Sequence, residues 1–365
     1  MPTVEFVPFA DGPGANVLAL ATYIAGTLSQ GQNRDIGFLG GTVAESQEAN
    51  RVWRQASMMA AALAHLIADA TGQDVLDDGN LPNLTALLKQ GVASAAGRVK
   101  VTTPIYNLYV DAVHGNDNTG DGSSGNPYAS IGAAWFQLAN HIDLNGNKAA
   151  IYCAPGTYGP FLAFPQVLGS SGNPSDIFIN GDYNTPTNCT INAFNDNCCY
   201  AAGGAAFTLK GFALQATGTA PTIGNGIVAA LGAIVQFDRI DFGNCSTSHL
   251  SAGGFGFIGT DLGGGGATYT ISGNAQRHQQ CDNLGYSAIA NSVVTISTSL
   301  AIPTFAWASN CSVLRNAGCT FSAPSAVTGA KYLVDNNSVI DTVGGGASYF
   351  PGNSFGSSAN GGVYV

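Results

Sequence analysis

The sequence predicts a mainly β chain: a right-handed, single-stranded parallel β-helix preceded by a small, mainly helical N-terminal module. Three observations point there. Only 9% of the 365 residues are charged, against roughly 25% in ordinary soluble proteins. Glycine is abundant at 49 residues without a three-residue period, which excludes collagen and suits tight corners between stacked rungs. From residue 149 onward, short segments alternate apolar with polar side chains, the period-two signature of strands.

Residues 1–97 form the helical module. Its clearest helix is Ser46–Thr71, with Ser46 as a cap and Gly72 as a stop. Val52, Met59, Leu63, Leu66 and Ile67 recur at three- and four-residue steps and predict one apolar face. A weaker helix, Leu81–Ala96, follows the break at Gly79. A segment this short with one good helix builds little core, so it is expected to dock or oligomerise. Residues 98–108 read as a linker, and 109–148 as the opening and N-terminal cap of the coil. In that stretch Ile131, Ala134, Trp135 and Leu138 sit at helical spacing to seal an open solenoid end. Asp111, Asp117 and Asp121 fit no EF-hand spacing and read as turn residues serving the backbone.

The coil is assigned to 149–343. Segments such as AAIYCA, DIFIN, CTINAF, AFTLKGFAL and AIVQFDRIDF read as strands. Equivalent points are placed at Phe212 and Ile240, Ile296 and Phe321, and Phe321 and Ile340, leaving room for roughly eight turns. The tail, 344–365, is aromatic, glycine-rich and uncharged, so it is expected to pack on the last coil or between subunits.

The net charge is −10, with 12 basic and 22 acidic residues and no Lys/Arg cluster. Nucleic-acid binding through phosphates therefore has no support. The most apolar helical run is too short to cross a bilayer, and the N-terminus has no basic, apolar leader, so neither membrane insertion nor autonomous export is expected.

Two resemblances add function. FADGPGANVL, GFLGGTVAESQEANRVWRQASMMAAALAHLIAD and DVLDDGNLPNL resemble the N-terminal module of tailed-bacteriophage tail fibre and tailspike-like proteins. YVDAVHGNDNTGDGSSGNPYASIGAAW is similar to the opening of pectate-lyase-like β-helix proteins. The resemblance implies a virion protein made in the bacterial cytoplasm and held on other virion proteins through Asn50, Trp53, Arg54, Asp77 and Asp78. It also implies a homotrimer and a β-helix presented to a host cell-surface glycan. A polysaccharide depolymerase and a neck or capsid decorating fibre are the alternatives.

Chemistry has few candidates. All three Glu lie in the first module, so a carboxylate pair of the kind glycosidases use must come from Asp238, Asp241, Asp261 and Asp282. Strand alternation puts Arg239 and Asp241 on one face and Asp238 on the other. Lys210 and Arg239 are the basic pair expected on neighbouring rungs. Cys245, His249, His278 and Cys281 form a candidate zinc set in loops, 29 residues separating the two His. The run 263–266 reads as a corner. Tyr158, Tyr183, Tyr200, Phe255, Tyr269 and Tyr286 are candidate glycan-stacking aromatics. No cofactor is implied.

Overall fold

The computed structural model describes residues 2–10, 12–25, 46–219, 223–260, 266–297 and 299–365. Part of the second phage-like motif, 37–45, lies outside them, as do Asp261 and 263–265. The chain divides into two compact units, 1–99 and 100–365.

In the first unit, helices Ser46–Thr71 and Leu81–Ala96 pack together. Gly72 ends the first with a positive φ and donates to Ala68 O. Asn80 caps the second by accepting from Asn83 N–H. An N-terminal segment pairs through Val4 with Val75. The small core is Ala64, Ile67, Ala68, Val75 and Leu87. The expected apolar face is only partly right. Ile67 is buried, but Val52, Met59, Leu63 and Leu66 are exposed, Met59 at 72%. Small alanines form the buried side because helices approach closely where no long side chain intervenes.

The second unit is built of parallel strands. One ladder runs through Ile105–Val110, Lys148–Cys153, Ile177–Asn180, Ala206–Thr217, Ile234–Cys245, Phe257–Gly259, Tyr286–Ala290, Val313–Ala317, Val339–Asp341 and Val363–Tyr364. A second sheet runs from Phe161–Ala163 to Ser357–Ser358. A third ladder, including Cys189–Phe194, Thr268–Ile271 and Val293–Ile296, completes the circuit. Ile234 pairs with Phe257 and Phe257 with Tyr286, so these two circuits take 23 and 29 residues. The architecture is mainly β with long all-parallel sheets, compatible with a parallel β-helix. Phe212 does align with Ile240. The other sequence anchors shift: Phe321 aligns with Val294, and Ile340 with Leu314.

One continuous core fills the coil, from Val101 to Phe350. Its open end is closed by helix Ile131–His141, whose Ile131, Ala134, Trp135 and Leu138 are all buried. Ser130 caps that helix by accepting from Ala133 N–H. Trp135 meets Phe207 edge-on at 5.2 Å. The preceding acidic turns serve the backbone: Asp111 accepts from Val113 and His114 N–H, Asp117 from Ala129 and Ser130, and Asp121 from Ser123. At the other end, residues 357–358 and 363–364 add strands to the two sheets.

Candidate functional site

The strand Ile177–Asn180 alternates strictly, burying Ile177 and Ile179 and turning Phe178 and Asn180 outward. Its neighbours continue the pattern. Thr208 aligns with Phe178, and Lys210 with Asn180; Gln236 aligns with Thr208, and Asp238 with Lys210. Phe178, Thr208, Lys210, Gln236 and Asp238, with Ser175 and Gly266 at the rims, line a cleft of about 250 Å³. Thr208 and Gln236 form its floor, each 5% exposed, and Thr208 Oγ1 donates to Pro174 O at 2.9 Å.

The wall beyond Asp238 depends on a left-handed corner. Arg239 has φ of 52° and occupies the corner that Gly211, φ 74°, takes one circuit earlier. The alternation expected from sequence therefore breaks. Phe237 and Ile240 both point inward, Asp238 and Arg239 both stand outside, and Asp241 moves onto the next face. Asp238 Oδ2 accepts from Tyr183 O–H at 2.8 Å, and Oδ1 accepts from Arg239 and Thr268 N–H. The Arg239 guanidinium lies 5.1 Å from the Tyr183 ring centroid. Lys148 and Lys210 place their ammonium groups 5.8 and 5.3 Å from the Phe178 centroid.

Among the described residues, Asp238 is the one carboxylate lining this cleft. Asp241 is half-buried near Ser272, and burial raises its carboxyl above the usual range. Asp282 holds a corner, accepting from Asn310 Nδ2 at 2.7 Å. Asp261 lies outside the described residues. No pair of carboxylates faces the cleft among those described.

The aromatic candidates separate sharply. Tyr183 is 46% exposed and reaches the cleft's edge through its hydrogen bond to Asp238. Tyr158 and Tyr269 are each 2% exposed and belong to the core, which corrects their reading as glycan-stacking residues. Each ring faces inward because its hydroxyl finds a buried acceptor: Tyr158 donates to Ala154 O, and Tyr269 pairs with His278. Tyr286 is half-buried, 5.3 Å from Phe257. Tyr200 is half-buried beside Leu162 in a shallow pocket, and Phe255 stands on an exposed corner. Phe178 was missed, although the alternation in DIFIN carries its outward position.

The zinc reading is also corrected. His249 and His278 lie on strands, Ser248–Ala252 and Arg277–Cys281, and both are fully buried. Their nitrogens are taken by protein groups. Gly243 O can only accept, so His249 Nε2–H donates to it at 3.0 Å. His278 Nδ1–H then donates to His249 Nδ1 at 3.1 Å, and Tyr269 O–H donates to His278 Nε2 at 3.2 Å. Burial pushes His249 down to about 4 and His278 well below the ordinary imidazole value, with His249 adding to the second shift. Burial pushes the Cys245 thiol up to about 12 and raises Cys281 as well. Among the described residues, no three His, Cys, Asp or Glu side chains converge to hold a metal.

The attachment candidates mostly tie the first unit together. Asn50 Nδ2 donates to Asn16 O, Trp53 meets Phe9 edge-on at 6.0 Å, and Arg54 O accepts from Ser57. Asp77 N–H donates to Glu5, and Asp78 accepts from Asn80 N–H. Trp53 and Asp77 keep exposed surface. Compared with protein-family models, curated proteins and solved structures, the chain gives no match in any of the three.

Proposed function

We propose that this chain is a structural, receptor-binding component of a bacteriophage particle, of the tail fibre or tailspike kind. Its N-terminal module attaches to other virion proteins, and its coil, a right-handed parallel β-helix, presents a glycan-binding face to the host. Right-handedness follows the general preference of parallel crossovers. The virion assignment rests on the motif resemblance over roughly residues 5–90, and the homotrimer on the same resemblance.

The observation that carries the binding reading is the cleft over Thr208 and Gln236. It is polar, its one described carboxylate is Asp238, and the exposed Tyr183 donates to that carboxylate from beside it. Hydroxyl-rich ligands are held by such side-chain hydrogen bonds and ring faces. Immunogold electron microscopy with antibodies raised against residues 100–365 tests the placement. Gold on the outside of intact particles supports it, whereas label confined to infected-cell lysate and absent from purified particles overturns it.

A further inference from the structure

We propose that the glycan taken by the cleft is anionic, its carboxylate or phosphate groups lying among the ammonium groups of Lys148 and Lys210 and the guanidinium of Arg239. This rests on the glycan reading above and adds the chemistry of the ligand.

The unit that holds the cleft is acidic. Residues 101–365 contain six Lys and Arg against 13 acidic residues, and three of those six cations stand on this one strip. Lys148 and Lys210 come from the two strands that flank Phe178, and both ammonium groups lie within 6 Å of its ring centroid. The ring therefore positions two cations, a favourable arrangement for its quadrupole, and is less available as a platform for a neutral sugar. Tyr183 does the same for Arg239.

In an acidic molecule such cations are expected opposite carboxylates, and here they are not. Among the described residues the ion pairs are His114 with Asp111 and Arg315 with Asp341. Asp238, the nearby acid, has its oxygens engaged by Tyr183 O–H and by the Arg239 and Thr268 amides. Lys210 thus lines the cleft and Lys148 and Arg239 stand on the strands to either side, none of the three with an ion-pair partner among the described residues. Lys148 to Arg239 spans four adjacent strands, roughly 14 Å at the usual strand spacing. That separation suits charges repeated along a polymer better than a single small anion.

Arrays of carboxylated, phosphorylated and neutral bacterial polysaccharides, probed with the full chain, test this. The expected hits are anionic, and they weaken at least about tenfold in Lys148→Gln/Lys210→Gln. They also weaken as salt rises from about 50 to about 500 mM. Lys331→Gln, outside the cleft, is expected to bind like the wild type, and Lys148→Arg/Lys210→Arg to retain binding. Carboxylated and phosphorylated hits each support the proposal and identify the source of the anion. Neutral hits that survive the double Gln variant overturn it while leaving the glycan reading intact. No hit of any class overturns both.

Discussion

The buried pair His249 and His278 makes acid stability a sharp prediction, with pH as the perturbation. His249 has an ordinary value of 6.5 and is held down to about 4 in the folded chain by burial. Between those two values the unfolded chain binds a proton that the folded chain refuses. Stability is then fully present above pH 6.5 and is lost as pH falls toward 4. Each pH unit is worth 1.36 kcal/mol per group, so His249 alone removes about 3 kcal/mol over that interval. His278 shifts in the same direction and steepens the loss. Protonating both rings also breaks the chain from Tyr269 to Gly243, because two facing imidazolium N–H groups leave no acceptor between them. Urea unfolding of the wild type and of His249→Gln/His278→Gln, from pH 7 to pH 4.5, is the assay. The wild type is expected to lose stability steeply below pH 6.5 and the double variant to have a shallow slope, whatever its stability at pH 7. Equal slopes would refute the tautomer chain and the neutral pair.

Other consequences concern the corners, the rungs and the thiols. Phe255 sits at φ 64° and is 71% exposed, and Asn337 occupies the equivalent left-handed corner three rungs later. Phe255→Asn is therefore expected to raise the unfolding midpoint, by about 1 kcal/mol of relieved backbone strain; a clear loss of stability would count against it. A Cβ on Gly285 would lie 2.2 Å from Ala252 O on the adjacent rung. Gly285→Ala should consequently cost about 3 kcal/mol in chemical denaturation, and a neutral result would contradict the packing. All eight cysteines are free thiols, seven of them buried or half-buried and Cys311 exposed. An aromatic disulfide reagent should label Cys311 first in the native protein and the other seven only on unfolding, read by peptide mapping.

How much of this was legible varies by face. Ile177–Asn180, in the first ladder, carries its Ile residues in strict alternation, and its period is plain. So are the limits of Ser46–Thr71 and the four residues that seal the coil. The second sheet was largely hidden, because its strands are short and place Ser248, His249, His278 and Gln279 inside. Polar residues in a core are invisible to a hydrophobic pattern when their partners lie a rung away. The same reason put Tyr269 on the surface in the sequence reading, since its partner His278 joins it only through the coil. Arg239 misled because a left-handed corner shifts the alternation by one, and nothing in DRID marks that φ. The cleft itself gathers Phe178, Lys210 and Asp238 from three strands, so no local motif announces it.

The binding claim is met most directly by titrating host-surface polysaccharide into the purified full chain in a calorimeter, with the mixture assayed afterwards for new chain ends. Saturable binding that is lost in Phe178→Ala/Tyr183→Ala, without new reducing or unsaturated ends, is the predicted result. Equal binding by that variant, or release of such ends by the wild type, would contradict it.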